Sequence, residues 1–146
     1  MKKGDANLHF LFVDGEKMVY CGVDIIEISR IENSIRRFEE TFLDKIFTKN
    51  EIEYCNKYKD NCYEHYAVRF AAKEALYKAF SSRYELSWQD VEILNKKSGR
   101  PYVKFVEEKL NSRFSQEQIN EILNAKIDIT LSHNNSQAIA YVIVEI

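Results

Sequence analysis

Two acidic residues stand in apolar stretches where a carboxylate is unfavourable. Asp24 interrupts a strand-like run at 19–26, and Glu74 lies in an alanine-rich and aromatic segment at 63–80. A carboxylate that loses its hydration needs a cation or hydrogen-bond donors. Proteins also hold Mg²⁺ with one or two such oxygens when a substrate phosphate supplies the remaining ligands. Because Lys78 lies one helical turn after Glu74, the pattern suggests phosphate chemistry at a magnesium site.

A purely structural role explains the same residues. Glu74 and Lys78 have the i,i+4 spacing of an ordinary helix pair, which contributes about 0.2–0.5 kcal/mol. Asp24 could cap the helix that follows it. The pattern alone leaves both interpretations open.

Two further pairs of polar residues could contact a ligand. Ser132 and His133 end an alternating strand, and phosphate contact suits them better than nucleophilic catalysis because no G-x-S-x-G turn is present. A lone histidine in a turn is nevertheless usually solvated. Arg30 and Arg37 are seven positions apart and share one helix face, which fits either an acidic partner or a solvated surface.

Hydrophobic periodicity predicts the elements that position these residues. Apolar and β-branched runs predict five strands, the first buried and the last apolar on both faces, at 19–26, 91–94, 101–105, 127–131 and 138–144. Apolar spacing or a capping box predicts four helices, which begin near Ile28, Thr48, Tyr63 and Ser115. The apolar stripe of the first helix includes Phe38. Together these elements predict an α+β fold in which an antiparallel sheet packs against helices.

The composition indicates one cytoplasmic domain. The 146 residues are 45% hydrophobic, and their formal net charge of -2 does not indicate a nucleic-acid partner. Because 3 Cys occur without a C-x-x-C pair, neither disulfides nor a zinc site is favoured, which fits a reducing cytoplasm. No stretch approaches the roughly 18 apolar residues of a membrane span. We assign 19–146 to the domain and 1–18 to an N-terminal extension, with Met18 as an alternative start.

Several segments match a known family in order and spacing. They are Gly22–Ile31, Arg69–Ala79, Gly99–Pro101 and Ser132-His133 followed by Ala138–Val142. Over Val19 to Glu145 the chain resembles the 4′-phosphopantetheinyl transferase superfamily, in its short, single-module holo-acyl-carrier-protein synthase branch. The resemblance implies the fold of that family. It also implies transfer of 4′-phosphopantetheine from coenzyme A to a serine of an acyl carrier protein, with release of 3′,5′-ADP.

The resemblance implies a role for each motif residue. Asp24 and Glu74 would hold Mg²⁺ together with the coenzyme A pyrophosphate, and Lys78 would reach the phosphates. Glu74 is also the candidate acceptor of the serine proton, directly or through a water molecule. The remaining motif residues would bind the nucleotide end of coenzyme A: Arg69, Gly99, Arg100, Pro101, Ser132 and His133.

The resemblance also implies protein partners. Arg30 and Arg37 would face the acidic recognition helix of the carrier protein. Family members of this length are homotrimers with active sites between neighbouring subunits. Asp128 lies near the metal-bearing side by topology and is left open as a further ligand.

Two other function classes are less favoured. A coenzyme A-dependent N-acyltransferase needs a glycine-rich loop for the pyrophosphate, whereas this chain has only 4 Gly and no G-x-G. A noncatalytic module that binds coenzyme A or carrier protein would need Arg30, Arg37 and His133, but not both carboxylates. The presence of Asp24 and Glu74 therefore favours catalysis.

Overall fold

The computed structural model describes residues 17–146, which form five strands and five α-helices. In order they are β1 (Val19–Glu27), α1 (Ile28–Ile46), α2 (Lys49–Asn56), α3 (Cys62–Phe80), β2 (Val91–Asn95), β3 (Pro101–Phe105), α4 (Glu107–Asn111), α5 (Gln116–Asn124), β4 (Lys126–His133) and β5 (Gln137–Glu145). The strands form a three-stranded antiparallel sheet in the order β1-β5-β4 and a separate β2-β3 hairpin. The predicted α+β arrangement is confirmed.

The boundary at residue 18 is close to where pairing begins. Met18 and Ile146 exchange two backbone hydrogen bonds of 2.9 and 3.0 Å, which extend the β1–β5 ladder by one pair. Most of the predicted N-terminal extension, residues 1–16, lies outside the described residues. Within 17–146, no helix is both long and apolar enough to cross a membrane.

Helix α3 packs directly on strand β1, and one glycine permits the contact. A Cβ atom added to Gly22 would lie 1.9 Å from the carbonyl oxygen of Ala75. Any larger residue would therefore push the helix away from the strand. Because Asp24 follows Gly22 by two positions and Glu74 precedes Ala75, this close approach sets the separation between the two carboxylate-bearing elements.

The opposite face of the three-stranded sheet is exposed, contrary to the prediction that β1 is buried. Large apolar side chains lie on that face, and Ile25, for example, is 57% exposed. The others are Val23, Ile139, Tyr141 and Ile143. The sequence is apolar on both faces of β5, as predicted, but helices of this chain cover only one of them. The alternation of apolar residues shows which faces of a strand are apolar, but it does not show which neighbour covers them.

Helix α1 departs from the predicted continuous apolar stripe. Phe38 was expected on the buried face but is half exposed. The reason is a kink at Glu39, whose φ of 46° and ψ of -127° are not helical. A non-glycine residue in this left-handed region is strained, so the packing on either side of Glu39 must hold it there.

Candidate active site

Asp24, on the helix-facing side of β1, forms an ion pair with Lys78 of α3. The Lys78 Nζ donates to Asp24 Oδ1 at 3.1 Å and to the carbonyl oxygen of Val23 at 2.8 Å. Among the described residues, Lys78 therefore pairs with a residue 54 positions away rather than with Glu74. Asp24 is also not a helix cap, because Glu27 takes the N-cap position of α1. The structure therefore shows neither the Glu74–Lys78 pair nor the Asp24 cap of the structural alternative.

Glu74 faces the same cleft as Asp24. Its Oε1 accepts a 2.6 Å hydrogen bond from the indole Nε1 of Trp88. Asp24, Glu74 and Arg30 together line a cleft of about 270 Å³, whose apolar walls include Phe42 and Phe70. The structure therefore brings together two carboxylates from β1 and α3 and one arginine from α1.

The donor set of this cleft fits a magnesium ion that is completed by substrate. No group of three or more acidic, histidine or cysteine side chains within 17–146 could enclose a metal. Two hard oxygen donors that line one cleft are instead the arrangement that Mg²⁺ uses when phosphate and water supply the other ligands. The cation that Asp24 already attracts, the ammonium of Lys78, shows that its carboxylate is placed to meet positive charge.

Arg37 lies away from this cleft. Its guanidinium is 5.1 Å from the ring centre of Phe38, and Phe38 is itself exposed just before the α1 kink. Arg30 lines the cleft, whereas Arg37 and Phe38 offer a mixed basic and apolar patch on the outer part of α1. The two arginines thus lie on one helix with different surroundings.

Arg69 is buried and supports the β2-β3 hairpin. It donates from Nε to the carbonyl oxygen of Ile93 at 3.1 Å and from Nη2 to Asn95 Oδ1. The Asn95 side chain in turn donates to the carbonyl oxygen of Gly99 at 2.9 Å. Gly99 has a φ of 87°, a conformation that favours glycine. In this chain Arg69 therefore supports the predicted nucleotide loop, Gly99–Pro101, through Asn95, and its contact with nucleotide stays a prediction.

Arg100 and Asp128 form an exposed ion pair outside the cleft. Arg100 Nη2 donates to Asp128 Oδ1 at 2.7 Å. This hydrogen bond, with a second from the Ile129 backbone, lowers the pKa of Asp128 below its usual value. Asp128 pairs in register with Ile143 of the exposed sheet face, whereas Asp24 pairs with Ala140 of the buried face. Within one chain Asp128 therefore does not join Asp24.

Ser132 and His133 end β4 near the beginning of α3. His133 Nδ1 lies 3.7 Å from Glu64 Oε2. Arg69 Nη1 donates to the carbonyl oxygen of His65 at 3.3 Å, and burial, followed by the charges of Arg69 and His133, lowers the pKa of His65. Ten residues separate Glu64 from Glu74, or about 15 Å along the helix. Within one chain His133 thus lies near the beginning of α3, the carboxylate cleft lies nearer its end, and Arg69 stands between them.

Trp88 is the residue of this site that the sequence analysis missed. It lies in a short 3-10 turn at Trp88–Asp90, 14 positions after Glu74. No periodic pattern links such a turn to a helix. The available signal was composition, since Trp88 is the single tryptophan of the chain and stands in a polar segment.

Comparisons with known proteins agree with this fold. A family model described as the 4′-phosphopantetheinyl transferase superfamily matches residues 20–142. The holo-acyl-carrier-protein synthase of Chloroherpeton thalassium is 41% identical over 126 residues, which cover 85% of this chain and 95% of that protein. The corresponding synthase of Ruminiclostridium cellulolyticum is 39% identical, with coverages of 86% and 90%.

A solved structure extends the likeness to three dimensions. The Helicobacter pylori holo-acyl-carrier-protein synthase, crystallised in complex with coenzyme A, has a TM-score of 0.67 and 31% identity. The match covers 85% of this chain and 98% of that one. The family model, the relatives and the solved structure point to one family. The chain belongs to the 4′-phosphopantetheinyl transferase superfamily.

Proposed function

We propose that this chain transfers 4′-phosphopantetheine from coenzyme A to a serine hydroxyl of an apo acyl carrier protein. The observation that carries the proposal is the cleft in which Asp24, Glu74 and Arg30 meet beside the Asp24–Lys78 ion pair. Two acidic ligands and nearby cations suit a pyrophosphate substrate with its metal. The names of the relatives, all holo-acyl-carrier-protein synthases, support the same reaction.

The reaction needs alignment and charge neutralisation more than covalent chemistry. The serine oxygen bonds to the β-phosphorus of coenzyme A, the bond from that phosphorus to the bridging oxygen breaks, and 3′,5′-ADP leaves with that oxygen. Lys78 stabilises negative charge on the phosphate oxygens. Glu74 accepts the serine proton, directly or through a water molecule. A Mg²⁺ ion held by Asp24 and Glu74 would supply the main neutralisation of the pyrophosphate.

The nucleotide end of coenzyme A is assigned to the amino-terminal half of α3, the β2-β3 loop and the end of β4. Arg69, Gly99, Arg100, Pro101, Ser132 and His133 are the residues proposed for it. The separation of His133 from the cleft along α3 favours a site that two neighbouring subunits complete.

A homotrimer is part of the proposal. The exposed apolar face formed by Val23, Ile25, Ile139, Tyr141 and Ile143 supports it, because contiguous apolar surface of this kind marks an interface. Closed cyclic symmetry would bury this face in every subunit. Light scattering that shows an active monomer would contradict it.

The acyl carrier protein is proposed to dock on α1. Arg30 and Arg37 suit an acidic partner, and the exposed Phe38 beside Arg37 adds an apolar contact.

A cytoplasmic location is proposed from the cysteine thiols. Cys21, Cys55 and Cys62 are all free, as a reducing compartment would keep them.

The catalytic unit is proposed to be residues 19–146. Residues 1–18 lie outside the family resemblance and offer no motif residue. A chain that starts at Met18 would keep the Met18–Ile146 backbone pair and full activity. Loss of activity in that shortened chain would contradict the assignment.

Product analysis by chromatography tests the proposed reaction. We expect 3′,5′-ADP to form only when the chain, coenzyme A, Mg²⁺ and an apo acyl carrier protein are all present. An N-acyltransferase supplied with acetyl-coenzyme A would release free coenzyme A instead, and a binding module would form neither product. Absence of 3′,5′-ADP with several apo carrier proteins would overturn the proposal.

A further inference from the structure

We propose that Trp88 is a positioning residue for Glu74, and that its indole fixes one carboxylate oxygen so that the other meets the divalent cation. The inference deepens the proposed function and rests on the metal role given there to Glu74. It assigns a role to the Trp88–Asp90 turn, which contributes no group to the chemistry itself.

The indole makes a short, charge-assisted contact with the carboxylate. Trp88 Nε1 donates to Glu74 Oε1 at 2.6 Å. Hydrogen bonds to an ionised acceptor are roughly twice as strong as neutral ones. With Oε1 engaged, Oε2 is the oxygen that a cation in the Asp24 cleft would take. The contact therefore selects one of the two oxygens and opposes rotation of the carboxylate.

The surroundings of the indole strengthen this contact. Glu74 and Trp88 line an apolar cavity of about 280 Å³, with walls that include Leu76, Leu86 and Val91. Glu74 also lines the cleft that contains Asp24, so its carboxylate lies between an apolar and a polar space. A hydrogen bond bordered by apolar groups is stronger than the same bond in water.

A buried lysine holds Trp88 in place through its backbone. Lys73 Nζ donates to the carbonyl oxygens of Trp88 at 2.7 Å and of Val91 and Ile46 at 2.9 Å each. It also lies 2.6 Å from Glu51 Oε1. Lys73 therefore ties the turn to α3 and α2 at once.

Consecutive residues of α3 thus hold Trp88 from two sides. Lys73 binds its carbonyl oxygen, and Glu74 accepts from its indole. The turn is further closed by Asp90 Oδ2, which accepts from the Ser87 backbone at 2.6 Å. An indole anchored in this way is a rigid support, and donors that orient a metal ligand typically change metal affinity or activity by 10–100-fold when they are removed.

Titration of Mg²⁺ into the protein with coenzyme A bound, without carrier protein, tests the inference by calorimetry. Trp88→Phe keeps an aromatic ring and removes the N–H, so we expect Mg²⁺ to bind about 10-fold more weakly. Tyr84→Phe is the matched control, because it removes another aromatic donor to a carboxylate, that of Glu121. The Tyr84→Phe protein should bind Mg²⁺ as the wild type does.

A spectroscopic readout stays valid even if Trp88→Phe folds poorly. Trp88 is the one tryptophan in the sequence, so the protein should give a single indole N–H resonance by NMR. In the otherwise intact Glu74→Ala protein we expect that resonance to shift and to exchange faster with water. In Tyr84→Phe it should not change.

The outcomes separate the inference from the proposed function. Wild-type Mg²⁺ affinity in folded Trp88→Phe, or an unchanged indole resonance in Glu74→Ala, overturns the positioning role and leaves the reaction standing. Wild-type Mg²⁺ affinity in Glu74→Ala overturns both the metal assignment and the positioning role. Weaker binding in both variants, with Tyr84→Phe unchanged, supports the inference.

Discussion

Helix α3 carries two lysines, five positions apart, that each meet a carboxylate from another element but serve different ends. The Lys73–Glu51 pair is enclosed, with side chains 1% and 0% exposed, and Lys73 has three further carbonyl partners. The Lys78–Asp24 pair opens to solvent, with side chains 52% and 18% exposed. A fully satisfied buried pair has no capacity left for a ligand. The open pair can exchange partners with a substrate, so we assign stability to the first and chemistry to the second.

Removing either cleft carboxylate should give the largest effect. We expect Asp24→Ala and Glu74→Ala each to lower kcat about a thousandfold, which corresponds to roughly 4 kcal/mol of lost charge stabilisation. Both residues lie outside the buried pair, so the unfolding temperature should change little. Near-wild-type kcat of either variant in saturating Mg²⁺ would contradict the assignment of chemistry to the Asp24–Lys78 pair and its cleft.

Replacing each lysine by methionine tests the comparison most symmetrically. Lys73→Met leaves Glu51 buried without its cation, so we expect a loss of about 3–5 kcal/mol in the free energy of unfolding. Lys78→Met removes an exposed pair and should lose at most about 1 kcal/mol. Denaturant titration measures both losses of stability. Turnover, compared under conditions in which both proteins are folded, should fall more in Lys78→Met than in Lys73→Met. Equal losses of stability in the two variants would show that burial does not distinguish the pairs.

Charge reversal on α1 extends the comparison to the partner surface. Arg37→Glu should raise the KM for carrier protein several-fold, because Arg37 lies away from the cleft and exposed charges act mainly on association. The salt dependence of kcat/KM should flatten, and the KM for coenzyme A should move little. Equal changes in both KM values, or in neither, would place the carrier elsewhere.

The Arg100–Asp128 pair is the most exposed of the three ion pairs compared, so its loss should have the smallest effect on stability. Its hydrogen bonds lower the pKa of Asp128 in the folded protein, so its contribution is present above the unfolded pKa and is lost as the pH falls through the folded value. NMR titration should give Asp128 a pKa below its usual value, and Arg100→Ala should raise that pKa toward the usual value. An unchanged Asp128 pKa in Arg100→Ala would assign the shift to the backbone alone.

The sequence predicts best what depends on neighbours along the chain. The capping boxes of α2 and α5 both form as expected, and α3 begins within one residue of its predicted start. The apolar setting of Asp24 and Glu74 predicted that each carboxylate needs a partner, and the structure supplies Lys78 for the first and Trp88 for the second. The Gly99 turn was likewise visible from its loop composition.

What the sequence did not predict depends on contacts between distant segments. The pairing of Lys78 with Asp24 rather than Glu74 follows from the close approach at Gly22, which no helical spacing reveals. The kink at Glu39 overrides a regular apolar stripe. The exposed outer face of the sheet has the same apolar pattern as a buried strand. The sequence of a strand does not show whether another element covers its apolar face.

The central claim is that the open cleft of α3 and β1 performs phosphopantetheinyl transfer, and the mass of the carrier protein tests it most directly. An apo acyl carrier protein is incubated with coenzyme A, Mg²⁺ and either the wild-type chain or Glu74→Ala, and intact masses are compared at equal times. The account predicts a gain of roughly 340 Da, the mass of the covalently attached phosphopantetheine, with the wild type and almost none with Glu74→Ala. An unmodified carrier with the wild type, or equal modification by both proteins, would contradict it.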